Sequence, residues 1–123
     1  MARVSQIEKK VRMDNWTIVK FQILTHCYLQ KIQVSDADLD CLTLLAIDGA
    51  QELTGFCMKV CENGIFKSPQ TVRNAISKAS RKHLISKEGK NKKRIFLEPD
   101  INVQTAENIL LDFKFLSLET QEV

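Results

Sequence analysis

The chain has 123 residues, of which 44% are hydrophobic and 27% are charged, with a net charge of +3. A chain of this length suits one globular domain around a single buried core. No apolar run approaches the roughly 20 residues that cross a bilayer, and the charged start lacks the apolar stretch of a secretory signal. We therefore expect a soluble cytoplasmic protein with no membrane association.

The first segment of the chain predicts a flexible start and then a helix. Residues 1–14 are polar and predict a flexible N-terminal segment. From Asn15 onward, four large apolar residues fall close to one helical stripe: Phe21, Leu24, Tyr28 and Ile32. This spacing predicts a helix, although the stretch TIVKFQI taken alone is equally typical of a strand.

A second helix has clear signals at both ends. Ser35 is a favourable N-cap, Asp36 and Asp38 lie in the first turn where the helix dipole favours anions, and Gly49 marks the end. Apolar residues occur nearly all round this helix, so we expect it to be central in the fold.

The third helix is one-sided and carries a pair of cysteines. Its apolar residues follow the i, i+3, i+4, i+7, i+8 spacing: Leu53, Phe56, Cys57, Val60 and Cys61. Asn63-Gly64 then signals a turn. Zinc sites usually contain two close Cys or His pairs and this segment contains one, so we expect the cysteines to be reduced and packed as small hydrophobic residues, with no metal.

A fourth helix is predicted over residues 69–82, followed by a β-hairpin over residues 84–97. Ser68 as N-cap with Pro69 at the first helical position is a strong start signal. The hairpin has two short apolar runs joined by a tip rich in Gly and Lys, and Pro99 closes the second strand. A further strand is predicted at the end of the chain, where Ile109, Leu111, Phe113 and Phe115 alternate with other residues. We expect it to complete the hairpin sheet or to pair with a second copy of the chain.

The positive charge is concentrated in one segment. Residues 67–94 carry a net charge of +9, whereas residues 1–30 carry +3, 31–66 carry −4 and 95–123 carry −5. A local basic segment on an otherwise acidic body indicates a polyanionic partner.

Residues 52–99 resemble the winged helix-turn-helix domains of MarR-like and GntR-like bacterial and phage regulators. The resemblance rests on ELTGF as the supporting helix, SPQTVRNAISKA as the recognition helix, and HLISKEGKNKKRIFLEP as strand, wing and strand. The glycine usual before the first wing strand is His83 in this chain. The resemblance implies an α+β fold that is mainly α, with three to four helices, a β-hairpin wing and a C-terminal strand. It also implies a homodimer whose symmetry matches paired DNA half-sites.

The resulting prediction is a nucleoid-associated, double-stranded-DNA-binding transcriptional regulator, with one domain over 15–118 and a tail over 119–123. Forked amide and guanidinium groups suit base edges, and hydroxyl and basic groups suit phosphates. The predicted base contacts are Gln70, Arg73 and Asn74. The predicted backbone contacts are Ser68, Thr71, Ser77, Lys78, Arg81, Lys87, Lys90, Lys92, Lys93 and Arg94.

Two other classes of function compete with DNA binding. His26 beside Cys27 suggests a base and a thiol nucleophile, but no third orienting group or oxyanion donor accompanies them, so we expect neither an enzyme nor a cofactor. The alternative is a winged-helix module for protein interaction, replication or assembly in a phage or mobile element, without sequence-specific DNA binding.

Overall fold

A computed structural model describes residues 3–12, 14–105 and 110–119, with side-chain environments for residues 14–105. Within these ranges the chain forms helices and strands in the order β1 (Arg3–Arg12), α1 (Asn15–Leu29), α2 (Asp36–Asp48), β2 (Gln51–Glu52), α3 (Leu53–Glu62), α4 (Pro69–Arg81), β3 (Ile85–Glu88), β4 (Arg94–Leu97) and β5 (Leu110–Glu119). Strands β2, β4 and β3 form a small antiparallel sheet in that spatial order. The prediction of a mainly helical α+β fold is confirmed.

Helix α2 lies at the centre of the core, as predicted. Its first turn is closed by a capping box, in which Ser35 Oγ accepts from Asp38 N and the Asp38 carboxylate accepts from Ser35 N. The five consecutive residues 41–45 are all buried. Thr43 satisfies its buried hydroxyl by donating to Leu39 O at 2.7 Å. Helix α2 is therefore surrounded by other elements on nearly every side.

Helix α1 begins where the Asp14 carboxylate accepts a hydrogen bond from Thr17 N at 2.7 Å. This cap removes the alternative of a strand in this segment. The buried side of α1 consists of Ile18, Val19, Ile23 and Cys27. The stripe that indicated a helix lies elsewhere, because Phe21, Leu24 and Tyr28 are exposed and Ile32 only partly covered. Because apolar residues lie on several sides of α1, the sequence alone does not determine which side packs against the core.

Strand β2 is a departure from the predicted elements. The segment ELTGF predicts a helix that includes Glu52, but Gln51 and Glu52 pair with Ile95 and Arg94 of β4, and α3 begins at Leu53. The backbone N–H of Leu53 also donates to Lys93 O at 2.7 Å. A strand of two residues has no local signal, because it exists only through pairing with β4.

Strands β1 and β5 pair antiparallel with each other over ten residues each. Residues 1–14 were predicted to be flexible, but residues 3–12 form a strand. The strand predicted near the C-terminus is confirmed, but it pairs with β1 and does not join the hairpin sheet. Pairing with a second copy of the chain stays a prediction. In the register, Glu8 faces Lys114 and Lys10 faces Asp112, so residues of opposite charge occupy facing positions. Ile109 and residues 120–123 of the predicted tail lie outside the described residues.

None of the helices in the described part of the chain combines the length and apolar character needed to span a membrane.

Candidate nucleic-acid interface

Helix α4 starts as the sequence predicts. Ser68 is the N-cap, its hydroxyl accepts from Thr71 N at 3.2 Å, and Pro69 occupies the first turn. Ser68 Oγ and Thr71 Oγ1 also lie 2.9 Å apart and share a hydrogen bond. Two of the three hydroxyls predicted to contact the DNA backbone therefore have an internal role at the start of this helix. A hydroxyl can still accept or donate a further hydrogen bond, so this role does not prevent a phosphate contact.

The two sides of α4 differ as expected. Val72, Ile76 and Ala79 are buried against the core. Gln70, Asn74 and Arg81 are exposed, whereas Arg73, Ser77 and Lys78 are half-buried at the margins. The exposed side thus presents amide and guanidinium groups above a small apolar inner side.

Lys78 forms an ion pair with the buried carboxylate of Asp38. Lys78 Nζ lies 2.9 Å from Asp38 Oδ2, and this pair joins α4 to the first turn of α2. Burial opposes ionisation of Asp38, but hydrogen bonds from Lys78 and Ser35 outweigh it and lower the pKa of this carboxyl. The carboxylate therefore stays charged and holds the Lys78 ammonium at the junction of the two helices.

Arg73 and the two amides on α4 also have partners within the protein. Arg73 Nη2 donates to Thr54 Oγ1 of α3 at 3.3 Å. Gln70 Nε2 donates to Asn74 Oδ1 at 3.0 Å, one turn further along the helix. The three predicted base contacts thus lie on adjacent turns of α4, and two of them hold each other in position.

The link from α4 to the hairpin takes a tight turn at His83. His83 is exposed and has a positive φ of 61°. This is the left-handed conformation in which glycine is favoured. The following residue returns directly to the core, since Leu84 is fully buried and its N–H donates to Ala79 O. The histidine therefore occupies the same type of turn that glycine would provide.

The β3–β4 hairpin is confirmed, and its tip bends sharply. Gly89, Asn91 and Lys92 have φ values of 86°, 61° and 54°, and Lys92 N donates to Gly89 O. Lys90, Lys92 and Lys93 are exposed in this turn. The sequence did not predict the short 3₁₀ turn over Lys90–Lys92.

The two basic residues on the hairpin strands differ from those at its tip, since one is paired and the other is partly buried. Arg94 Nη1 lies 3.4 Å from Glu88 Oε1 at the facing register position, which partly neutralises its charge. Lys87 faces the buried Ile95 in the register and is only half-exposed. Of the five predicted wing contacts, the lysines at the tip are the best placed to meet a ligand.

Several side chains of the basic segment 67–94 form no ion pair with any residue in the range 14–105. They are Lys67, Arg81, Lys87, Lys90, Lys92 and Lys93. Lys67 is exposed immediately before the N-cap of α4 but was not selected as a candidate contact. Its position in the basic segment, directly before Ser68, was the signal that could have identified it.

Comparison with protein-family models, curated proteins and solved structures finds no match for this chain. A functional assignment therefore depends on the arrangement of these groups.

The cysteines belong to the core. Cys27, Cys41 and Cys57 are buried and Cys61 is partly buried. Burial raises the pKa of all three buried thiols, and that of Cys41 reaches about 12. A thiol with a raised pKa is a poor nucleophile and a poor metal ligand at neutral pH. Within the described residues, no three side chains of His, Cys, Asp or Glu are grouped to hold a metal ion.

Proposed function

We propose that this protein binds double-stranded DNA as a transcriptional regulator, with α4 in the major groove and the β3–β4 hairpin against the neighbouring backbone. The order helix α2, strand β2, helices α3 and α4, and then a hairpin supports a winged helix-turn-helix. The spatial strand order β2-β4-β3 also supports it, because it leaves the hairpin tip free at the far end of two strands. In such domains the second helix of the pair reads the major groove.

The observation that carries the proposal is the distribution of unpaired positive charge. Lys67, Arg81 and the three lysines of the hairpin tip are exposed and have no acidic partner among residues 14–105. They lie at the two ends of α4 and at the tip of the hairpin that follows it. Exposed cations concentrated in one segment of the chain gain free energy when they release the counterions condensed on a duplex. A solvent-facing helix without a ligand does not require such grouping.

Contacts to bases are assigned to the exposed amides. Gln70 and Asn74 are exposed on α4, and their mutual hydrogen bond orients both amides before DNA arrives. An amide of this kind pairs with the N6 and N7 edge of adenine. Arg73 is the third candidate and would exchange its bond to Thr54 for a guanine edge.

The proposal is tested by fluorescence anisotropy with a random-sequence duplex over a series of salt concentrations. We compare the wild type with a variant in which Lys90, Lys92 and Lys93 are changed to Gln. The slope of log K against log salt should become less steep by about 0.9 for each lysine that contacts a phosphate, hence by up to about 2.7.

The control carries the same change in net charge at positions away from α4 and the hairpin, with Lys20, Lys31 and Lys59 changed to Gln. Its slope should remain that of the wild type, and circular dichroism would verify that both variants are folded. Absence of binding by the wild type at low salt would refute the proposal. If the slope of log K against log salt becomes less steep by the same amount in both variants, the effect is one of general charge. The hairpin would then be excluded as the phosphate contact.

A protein-interaction module is the competing class, and one feature favours it. Helix α1 carries exposed apolar side chains, including Tyr28 at 80% exposure. A module of this class would bind its partner with equal affinity after the hairpin lysines are replaced. The two functions are compatible, since the apolar residues lie on α1 and the unpaired cations lie on and around α4 and the hairpin.

A further inference from the structure

The outward side of α1 contains no charged residue. Its exposed positions after the N-cap are occupied by Thr17, Phe21, Leu24, Thr25, Tyr28 and Leu29. The exposures of the large apolar residues among them are 40% for Phe21, 45% for Leu24, 80% for Tyr28 and 69% for Leu29. We call this set the α1 face. The outward side of a helix in a water-soluble domain is usually charged or polar, so the α1 face is the wrong composition for permanent contact with water.

The one lysine of α1 does not alter this composition. Lys20 Nζ lies 2.7 Å from Asp36 Oδ1 and 2.8 Å from Asp40 Oδ1 of α2. It is therefore engaged at the α1–α2 junction and points away from the α1 face. Its pKa is raised, mainly by the hydrogen bonds to Asp36 and Asp40. A partner that docks on the α1 face meets neither a lysine nor an acidic residue there.

The area of the α1 face is sufficient for the centre of an interface. A fully exposed side chain of this size offers about 200 Å², so the four exposures together correspond to about 450 Å² of mostly apolar surface. A stable interface of standard size covers about 800 Å² on each partner. The groove that continues from Leu24 and Tyr28 extends this surface at its edge, where Ile32 and Val34 line it together with Lys82 and the Asp38–Lys78 ion pair.

We propose that the α1 face is the contact between two copies of this chain, packed about a two-fold axis. In such an interface a surface meets itself, so any charged residue near the axis would approach its own copy and be repelled. A face without charge satisfies this condition. Phe21, Leu24 and Tyr28 are spaced i, i+3 and i+7, which is the spacing of a seam between two paired helices.

The composition of the α1 face does not suit a nucleic acid or an anionic lipid surface. A duplex or an anionic lipid surface is attracted by basic residues at the edge of the contact, and the single lysine of α1 is already paired. If the proposed DNA binding is correct, the two-fold axis also relates two copies of α4 and matches paired half-sites. The dimer itself does not depend on DNA binding.

The test uses sedimentation velocity over a range of protein concentrations, in reducing buffer so that no thiol links two copies. The variants are Leu24→Lys and Leu24→Glu, at the middle of the α1 face. The matched control is Met58→Lys, which introduces the same charge at an apolar residue of α3 that is 56% exposed. Circular dichroism and thermal unfolding confirm that each variant is folded, which is expected because Leu24 is already 45% exposed.

We expect the wild type and Met58→Lys to dimerise equally and each Leu24 variant to dimerise at least 100-fold more weakly. An equimolar mixture of Leu24→Lys and Leu24→Glu should dimerise again, because opposite charges then meet across the axis. A wild type that remains monomeric at several hundred micromolar overturns the proposal. So does a dimer that survives both Leu24 variants, or a mixture that stays monomeric while the wild type is dimeric.

The same samples separate this proposal from the proposed function. Monomeric Leu24→Lys should bind a random duplex with the same salt slope per protomer as the wild type, because the α1 face contains none of the proposed phosphate contacts. A wild-type protein that is monomeric and binds the duplex would refute only the proposed dimer. A wild-type protein that is dimeric and does not bind the duplex at low salt would refute only the proposed DNA binding.

Discussion

The Asp38–Lys78 pair provides the sharpest test of how α4 is positioned. Changing Asp38 to Ala removes a contact of 2.9 Å to Lys78 and the acceptor for Ser35 N, leaving the rest of the capping box in place. The loss of this part of the cap costs about 1 kcal/mol. The ion pair adds about 1 kcal/mol rather than the 3–5 kcal/mol of a fully buried pair, because the Lys78 side chain is 45% exposed and can regain water.

The expected loss is therefore about 2 kcal/mol of unfolding free energy, or roughly 8 °C in Tm for a chain of this size. The assay is urea and thermal unfolding of Asp38→Ala, Lys78→Met and the double variant. The pair should give a coupling energy of about 1 kcal/mol. If the losses in the single variants add to that of the double variant within about 0.3 kcal/mol, the contact contributes nothing and the reasoning is wrong.

The same coupling should depend on pH in one direction only. Because the pKa of Asp38 is lower in the folded state than its ordinary value of 3.8, the stabilisation is complete above about pH 5. It is lost as the pH falls through the folded-state pKa, which lies below 3.8. Lys78→Met should also leave the salt slope of the proposed DNA binding unchanged, because the Lys78 ammonium is held by Asp38. A slope that becomes less steep by about 0.9 would instead restore Lys78 as a phosphate contact.

Three further predictions concern the turn after α4 and the thiols. His83→Gly should raise the unfolding free energy by about 0.5–1 kcal/mol, as measured by urea unfolding. The reason is that His83 has a φ of 61°, which glycine adopts without strain. His83→Ala should give no such gain. Ellman's reagent should modify one thiol quickly in the native protein, and Cys61→Ser should abolish that fast phase, because the other cysteines are buried; several fast thiols would contradict the described core. The raised pKa of Cys41, about 12 against 9.0 in the unfolded chain, gives stability that is complete below pH 9 and lost as the pH rises towards 12. Urea unfolding at pH 8, 9.5 and 10.5 should therefore show the unfolding free energy of the wild type falling by about 1 kcal/mol more than that of Cys41→Ala across the last pH unit. Equal losses in the two proteins would refute this prediction.

Helices and turns whose start and stop signals lie within a few residues of their ends were predictable from the sequence. Ser35 and Ser68 cap α2 and α4 as expected, and Gly49 follows the last turn of α2. The hairpin also follows from its apolar runs and its glycine. Each of these features depends on neighbours in sequence, so no knowledge of distant contacts was needed.

Elements that depend on distant pairing were not predictable. Strand β1 exists through a partner more than 90 residues away, and β2 exists only against β4. The face of α1 was also undetermined, because apolar residues lie on both its sides and the packing of Ile18, Ile23 and Cys27 against the core decides which side is covered. The stripe that identified α1 as a helix is thus the stripe that the fold leaves exposed.

The basic segment contains two groups of residues that have the same charge in the sequence but different contacts in the structure. The first group binds other parts of the protein: Lys78 contacts Asp38, Arg73 contacts Thr54, and Lys82 contacts Gln33 O. Those contacts link α4 to α2, to α3 and to the segment between α1 and α2, so they fix its orientation. The other group, at the hairpin tip and the ends of α4, has no acidic partner among residues 14–105. Since the first group sets the direction in which Gln70 and Asn74 point, substitutions in it should alter stability and specificity, whereas substitutions in the second should alter the dependence on salt.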